Sequence, residues 1–307
     1  MCEDNQTQVT EIHLLGFQGL RNLKILLFIL FFLIYMVIMI GNLLIIVLVT
    51  TSDHLKITMF YFLKHLALAD VFLTTNIVPL MLDLILMEER TISFVACIGQ
   101  LYFFGVSGFV QCFVLAVMSY DRSLAIRKPL RYSLIMCPDL CMQLVAGCWL
   151  LVFILISAEI VVLCQLHFCG RNYIDHFFCD FGPFVQLATS DTSALMLLDL
   201  IISILMIFLP FVFIIMTYVS ILITILSIPS RTGRKKSFST CTSHLMTVCT
   251  YYGTLITVYM IPSEENDFNI NKFRSLLYVM VTPMMNPIIY SLRNQEVRGA
   301  LRKVLCN

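Results

Sequence analysis

Long apolar stretches, separated by short polar segments, dominate this chain. Seven of them reach the ~20 residues that a helix needs to cross the hydrocarbon core of a bilayer. They are 25–49, 57–86, 92–120, 140–163, 192–228, 238–261 and 273–292. The pattern predicts a bundle of membrane-spanning helices. The second and fifth stretches are less distinct by hydropathy, so six or eight spans also fit.

The composition supports an all-α membrane protein. Of the 307 residues, 59% are hydrophobic and 13% are charged, whereas soluble domains carry about 25% charged residues. A soluble fold has too little polar surface to cover such a core. The net charge of +1 argues against a nucleic-acid partner, because phosphate backbones select strongly basic surfaces.

Lys and Arg concentrate in the linkers after spans one, three and five and in the C-terminal tail. Since cytoplasmic loops carry the basic excess, we expect an extracellular N-terminus (1–24), a seven-transmembrane domain (25–292) and a cytoplasmic tail (293–307). The sequon at Asn5 falls on the expected outer side and is a candidate glycosylation site. Within the tail, the basic stretch 296–304 predicts a short amphipathic helix on the inner membrane surface.

Several polar side chains lie inside the predicted spans, where a charge costs about 2.5–3.5 kcal/mol on insertion scales. They either pair to hold helices together or form a polar chain that a two-state switch would use. These residues are Asn42, Asp70, Asn286 and Tyr290 within the spans and Asp121 and Arg122 at the end of span three, with Pro287 breaking the helix next to Asn286.

Three motifs carry a family resemblance: 118–126 (MSYDRSLAI), 236–245 (KSFSTCTSHL) in span six and 283–294 (PMMNPIIYSLRN) in span seven. Residues 176–180 (HFFCD) in the long outer segment 165–191 fit the same pattern. The chain resembles the olfactory receptors among the rhodopsin-like G-protein-coupled receptors. The resemblance covers almost the whole chain.

The resemblance implies a receptor that catalyses nothing and lies in the plasma membrane of olfactory sensory cilia. It would bind a small odorant in the outer half of the bundle and activate a stimulatory heterotrimeric G protein, raising cyclic AMP. Ligand pockets between helices are mostly apolar with few polar groups, and helical spacing selects the candidates. The expected ligand-binding residues are Phe104, Gly105, Gly108, Phe109, Asp199, Ile202, Ser203, Met206, Tyr252, Leu255, Ile256 and Tyr259.

On the inner side, the resemblance implies a switch in which Arg122 pairs with Asp121 at rest. Agonist would free Arg122 and bring Tyr218 and Tyr290 toward it, while Asn286 and Pro287 shape the inner part of span seven. Basic residues would border the G-protein cleft, anchor to anionic membrane lipid, or do both. They are Arg127, Lys128, Arg131, Arg234, Lys235 and Lys236.

Two departures from the family pattern change the expectations. Gln111 stands where the family has a Glu that binds sodium together with the carboxylate corresponding to Asp70. Because hard cations prefer charged oxygen ligands, we expect a polar core of Asn42, Asp70 and Gln111 with no metal, and no other cofactor.

The family pattern also implies a disulfide between Cys97 and Cys179. Its second bridge lacks a partner, since Thr189 replaces the cysteine expected for Cys169. We therefore expect Cys169 to be unpaired or bonded to Cys164.

Two acidic residues, Glu159 and Asp199, lie near the outer ends of spans four and five. Either one faces the ligand and favours a cationic amine, or both are solvated at the headgroup level. A rhodopsin-like receptor for a non-odorant small molecule such as an amine is therefore the alternative function. A transporter or channel would show paired discontinuous helices, and an enzyme would show a nucleophile motif or a metal cluster; the sequence has neither signature.

Overall fold

The computed structural model describes residues 8–17, 21–52, 57–259, 268–293 and 299. Spans one, two and three are the helices α1 (Lys24–Thr51), α2 (Thr58–Met87) and α3 (Phe94–Arg127). A short helix α4 (Tyr132–Ile135) follows in the inner loop, and span four is α5 (Pro138–Leu163). The Asn5 sequon and nearly all of the predicted tail helix lie outside the described residues.

The last three spans are built from helical segments. After the short outer helix α6 (Phe181–Val185), span five consists of α7 (Ser193–Ser203), a π-helical turn at Ile204–Phe208 and α8 (Leu209–Leu226). Span six is α9 (Arg231–Tyr259). Span seven consists of α10 (Phe268–Leu276), a π-helical turn at Leu277–Val281 and α11 (Thr282–Arg293).

Within the described ranges, spans one to five are each long and apolar enough to cross a membrane. Span six begins with a basic, polar segment, Arg231–Ser237, which lowers its hydropathy although its helix is continuous. Spans three and six extend beyond the predicted stretches because helical hydrogen bonding continues into the inner aqueous region, where hydropathy gives no signal. Large apolar side chains such as Leu26, Ile40 and Met216 are 60–66% exposed on the outside of the bundle, as expected for a lipid-facing surface.

Spans one and seven approach each other closely at Gly41. A Cβ atom at this position would lie 2.9 Å from the Pro287 ring, so only glycine fits without a shift of one helix. The adjacent Asn42 Nδ2 donates to the carbonyl oxygen of Pro283 at 3.0 Å. Pro287 has no amide hydrogen to donate to a carbonyl oxygen of the preceding helical turn. The buried side-chain amide of Asn42 donates to the Pro283 carbonyl in that turn instead.

A small sheet at the outer end joins three distant parts of the chain. Strand β1 (Glu11–Leu15) lies between β2 (Glu89–Ser93), which is antiparallel to it, and β3 (Tyr173–Ile174), which is parallel. Ile12 and Leu14 are fully buried and alternate with the more exposed Glu11, His13 and Leu15, the period expected of a strand with one covered face. We call this sheet, with its attached loop 165–191, the outer cap.

Candidate functional site

The inner end of span three holds Arg122 in a buried ion pair. Arg122 donates from Nη2 and Nε to Asp121 Oδ2 at 2.6 and 3.0 Å. Tyr132, from α4, donates its hydroxyl to the other oxygen, Oδ1, at 2.6 Å. Asp121 is fully buried and Arg122 is 8% exposed. We call these three residues the inner lock; the sequence predicted the ion pair but not Tyr132.

Burial affects Tyr132 as well, which lies in the inner loop outside the spans. Desolvation, reinforced by the negative charge of Asp121, raises the pKa of its hydroxyl to about 12. The hydroxyl is therefore protonated at every physiological pH and remains a hydrogen-bond donor to Asp121. This bond fixes α4 to the end of span three.

His244 of span six connects three helices just above the inner lock. Its Nε2 lies 3.1 Å from the carbonyl oxygen of Leu115 in span three, and its Nδ1 lies 2.6 Å from the hydroxyl of Tyr218 in span five. A carbonyl oxygen can only accept, so in the neutral ring Nε2 donates and Nδ1 accepts from Tyr218. The predicted switch residue Tyr218 is therefore bonded to His244, a partner that the sequence reasoning missed.

The predicted polar core occupies the middle of the bundle. Asn286 Nδ2 donates to Asp70 Oδ2 at 2.7 Å, which joins spans seven and two. Gln111 is fully buried, and neither its amide nitrogen nor its amide oxygen has a hydrogen-bond partner within the described ranges. Tyr290 is also buried, at 1% exposure. No group of three or more metal-ligating side chains is found among the described residues.

The candidate ligand residues of span three face the outer cap and span seven. The ring of Phe104 lies 5.2 Å from that of Phe178 in the outer loop and 5.9 Å from that of Tyr278 in span seven. The gap beside Gly108 is occupied, because a Cβ there would lie 2.6 Å from the Tyr278 hydroxyl. At Gly105 the corresponding neighbour is Ile156 at 3.5 Å. The two glycines therefore admit neighbouring side chains, and Phe109 is half-buried beside them.

The candidates from spans five and six divide by exposure. Ile202, Met206, Tyr252 and Leu255 are buried, at 8% exposure or less, and Ser203 is half-buried. Ile256 is 50% exposed on the outside of the bundle, away from the buried candidates. The side chain of Tyr259 lies outside the described residues.

Two polar features lie beside the candidate ligand residues of spans three, five and six. Glu159 of span four and Asp199 of span five lie close enough for their carboxyl groups to interact; Glu159 is 7% exposed and Asp199 is half-buried. Burial therefore shields Glu159 from water. The Tyr252 hydroxyl, deeper in the bundle, is completely buried.

The disulfide between Cys97 and Cys179 is present and attaches the outer cap to span three, with Cα atoms 5.6 Å apart. Gln100 supports the same junction: its Oε1 accepts from the Cys179 amide at 2.8 Å and its Nε2 donates to the Asn76 carbonyl at 2.9 Å. Both expectations for Cys169 were wrong, because Cys169 is disulfide-bonded while Cys164 is a free, exposed thiol. The family spacing could not indicate this, since bridge partners come from the fold.

Lys272, at the outer end of span seven, is 1% exposed and forms an ion pair with Asp175 of the outer cap. It also donates to the Gly16 carbonyl at 2.8 Å, so one ammonium group links span seven, the N-terminal segment and the loop. Next to it, the His176 ring is buried, with Nε2 lying 3.3 Å from Ser275 Oγ. Burial, and then the charge of Lys272, lower the pKa of His176 to about 3.

Comparison with known proteins gives a consistent result. The family model described as "Olfactory receptor" matches residues 31–307. Olfactory receptor 11A1 of Homo sapiens is 44% identical over 302 residues, covering 98% of this chain and 95% of the relative. Olfactory receptor 1M1 of Mus musculus is 42% identical over 301 residues (98% and 96%), and olfactory receptor 10A7 of Homo sapiens is 42% identical over 305 residues (99% and 96%).

Proposed function

The chain belongs to the olfactory receptor family of seven-transmembrane G-protein-coupled receptors, and from this premise we propose how it works. It is a multi-pass membrane receptor for odorants and not an enzyme. We propose that the odorant binds among the outer halves of spans three, five and six, and that the occupied receptor activates a stimulatory G protein and raises cyclic AMP in olfactory cilia.

The observation that carries this proposal is the double role of span six. One continuous helix contains Tyr252 at the proposed ligand site and His244 above the inner lock. The two residues are eight positions apart, which is about 12 Å along a helix. A ligand that displaces span six at Tyr252 therefore also acts on the contacts of His244 with Leu115 and Tyr218.

The inner lock defines the resting state in this proposal. While the Asp121 carboxylate accepts hydrogen bonds from Arg122 and Tyr132, the Arg122 guanidinium group stays beside Asp121 and does not turn toward spans five and seven. Once His244 releases Tyr218, that hydroxyl is available to Arg122. The ligand shifts this equilibrium only by its difference in affinity for the two states, so odorants that bind both states equally act as antagonists.

The second inner loop offers a surface for the G protein. Leu130 and Leu134 are 94% and 78% exposed, one helical turn apart beside Tyr132. Arg127, Lys128 and Arg131 surround them and are also exposed. An apolar pair with a basic rim suits an amphipathic helix of a partner, and the same basic side chains suit anionic lipid headgroups.

The test is cyclic AMP production in cells that express the receptor and a stimulatory G protein, across a broad odorant panel. We expect at least one concentration-dependent response, and no response from Arg122→Ala at equal surface expression. His244→Phe, which removes both span-six contacts, should raise the basal signal. An odorant response that survives in Arg122→Ala, or that needs a different class of G protein, would contradict the proposal.

A further inference from the structure

We infer that the outer cap contains a second disulfide, between Cys2 and Cys169, which fastens the N-terminal segment to the long outer loop. The bond involves neither the ligand nor the G protein, so it goes beyond the proposed function. Cys169 is disulfide-bonded and 5% exposed. It is one of twelve cysteines in the chain, and its partner follows from the state of the others.

The described cysteines leave two possible partners for Cys169. Cys97 and Cys179 are bonded to each other, and Cys164 is a free thiol although it lies only five positions before Cys169. The other free thiols among the described residues are Cys112, Cys137, Cys141, Cys148, Cys241 and Cys249. The partner is therefore Cys2 or Cys306, both of which lie outside the described residues.

The course of span seven excludes Cys306. Lys272, near the start of this span, contacts the outer cap, and Arg293 ends the span 21 residues later, about 30 Å away along a helix axis. To reach Cys169, the tail would have to return through the bilayer with unpaired backbone groups, which hydrocarbon does not tolerate. Thiols on the cytosolic side also stay reduced, whereas disulfides persist on the extracellular side.

The N-terminal segment, in contrast, lies directly against Cys169. Gln8 and Cys169 face each other in an antiparallel β-bridge, and the Val9 amide donates to the Phe168 carbonyl oxygen at 3.0 Å. Opposed residues in an antiparallel pair have Cα atoms about 4.5–5.5 Å apart. Cys2 is six positions before Gln8, and six residues span at most about 20 Å, so Cys2 is within chain reach of Cys169.

Hydrogen bonds close the outer loop where the family pattern has a disulfide. Thr189 stands in place of the cysteine expected there, and its amide and hydroxyl both donate to the His167 carbonyl oxygen, at 2.8 and 3.1 Å. Phe168 and Ala188 form a β-bridge beside this contact. The loop is therefore held at this point without the sulfur of Cys169, which can bond to the N-terminal segment on its other side.

Formation of the bond oxidises two thiols to one disulfide. The Cys2 and Cys169 thiols together lose two protons and two electrons. A disulfide-bearing oxidoreductase of the secretory pathway accepts them, and its own disulfide becomes two thiols. The exchange passes through a mixed disulfide between that enzyme and one cysteine of the receptor.

The bond fastens the N-terminal segment on the side of β1 that is otherwise held only by backbone pairing. After β1, the Gly16 carbonyl oxygen accepts from Lys272 at 2.8 Å and the Gly16 amide donates to the Glu88 carbonyl oxygen at 2.9 Å. Before β1, the link is Cys2 to Cys169. Because β1 is the central strand of the sheet, fixing both of its ends keeps β2 and β3 joined.

The first experiment asks whether cutting the backbone releases the N-terminal segment. The full-length receptor carries an epitope tag before Met1 and a protease site inserted between Gly19 and Leu20. After cleavage and alkylation of free thiols, the sample is run on a denaturing gel with or without dithiothreitol. Cys2 is the only cysteine in residues 1–19, so only a bond through Cys2 can retain the tag. We expect retention without dithiothreitol and complete release with it; release without dithiothreitol would overturn the inference.

Four variants identify the partner of Cys2 in the same assay. Cys2→Ser and Cys169→Ser should lose the tag without dithiothreitol, because each removes one half of the bond. Cys306→Ser and Cys164→Ser are the matched controls and should retain it. A tag that stays attached in Cys169→Ser, or that is lost in Cys306→Ser, would show that Cys2 is bonded elsewhere and the inference is wrong.

A second measurement uses the unmodified receptor, so a folding defect in Cys169→Ser does not affect it. Free thiols are alkylated, the purified receptor is digested without reductant, and the linked peptides are identified by mass spectrometry. We expect a peptide containing Cys2 joined to one containing Cys169, and separation of the two after reduction. Alkylated Cys2, or Cys169 joined to any other cysteine, would overturn the inference and leave the proposed function untouched.

Discussion

The two ends of the bundle are closed in different ways. At the inner end, side-chain hydrogen bonds of His244 join spans three, five and six, and Asp121 holds its neighbour Arg122 and the inner-loop residue Tyr132. At the outer end, closure depends on backbone pairing in a three-stranded sheet, a disulfide and the ion pair of Lys272. The inner end can therefore open when a few side chains rotate, whereas the outer end opens only if a strand separates. This difference suits a receptor that keeps its ligand region fixed and transmits movement to the opposite side.

The largest effect should come from cutting the covalent part of the outer end. Cys179→Ser removes a disulfide that closes a segment of 82 residues, which the chain-entropy model values at about 4–5 kcal/mol. We expect almost no folded receptor at the cell surface, measured by antibody staining of an N-terminal tag. The control is Cys164→Ser, which removes a free, exposed thiol and should leave staining unchanged. Equal staining of the two variants would show that the remaining contacts keep the outer end closed without this disulfide.

Breaking the Lys272–Asp175 ion pair should have the next largest effect on stability, and its size should depend on which partner is replaced. Lys272 is 1% exposed, while the Asp175 side chain is 28% exposed. Asp175→Asn leaves a buried cation without its counter-ion, at a cost of about 3 kcal/mol, whereas Lys272→Gln leaves a carboxylate that water can reach. Thermal unfolding in detergent should rank the unmodified receptor above Lys272→Gln, and Lys272→Gln above Asp175→Asn. The reverse order would mean that the ion pair does not stabilise the outer cap.

A smaller effect should appear on acidification of the outer end. The pKa of His176 falls to about 3 in the folded receptor from its usual 6.5, so the unfolded chain binds more protons below pH 6.5. The contribution of His176 to stability is therefore full above pH 6.5 and falls by about 1.4 kcal/mol for each pH unit between 6.5 and about 3. Asp180 acts in the opposite direction, because burial raises its pKa to about 6 and the folded receptor gains stability as the pH falls from about 6 to 4.

The two contributions are separated by a paired measurement. The melting temperatures of the unmodified receptor and of His176→Gln are compared at pH 7.5 and pH 5.5. The unmodified receptor should lose more stability on acidification than the variant, and His167→Gln, at an exposed position in the same loop, should behave like the unmodified receptor. An identical pH response in all three proteins would exclude His176 as the responsible group.

The smallest effect should be at the inner end. Tyr132→Phe removes one of the three hydrogen bonds to Asp121, worth about 1 kcal/mol. Basal cyclic AMP should rise about fivefold while the active state remains minor, with little change in melting temperature. Tyr120→Phe, whose ring packs against Phe213 with no role in the inner lock, is the matched control. A basal signal that rises equally in both variants would show that Tyr132 does not hold the resting state.

The contrast between the inner and outer ends of the bundle also explains which features the sequence could predict. Asp121 and Arg122 are adjacent at the end of span three, and the family resemblance implied their pairing. The helical spans followed from hydropathy, although span six was predicted to begin at residue 238 and begins at Arg231.

The outer cap could not be predicted, because its contacts join residues far apart in the chain. Lys272 and Gly16 are separated by 256 positions, and β1 lies in residues 1–24, which the charge pattern assigned only to the extracellular side. His244 was also missed, since a single histidine in a helix has no sequence signal that identifies its partners on two other spans.

The π-helical turns at Ile204–Phe208 and Leu277–Val281 have a consequence for protein engineering. An α-helix advances 100° for each residue, and a π-turn accommodates an additional residue within a helix. In spans five and seven, the side chains that follow the π-turn therefore point in directions rotated from those that one uninterrupted α-helix would give. Deleting one residue such as Leu205 would restore the regular phase and turn Tyr218 away from His244 without altering any side chain at either end.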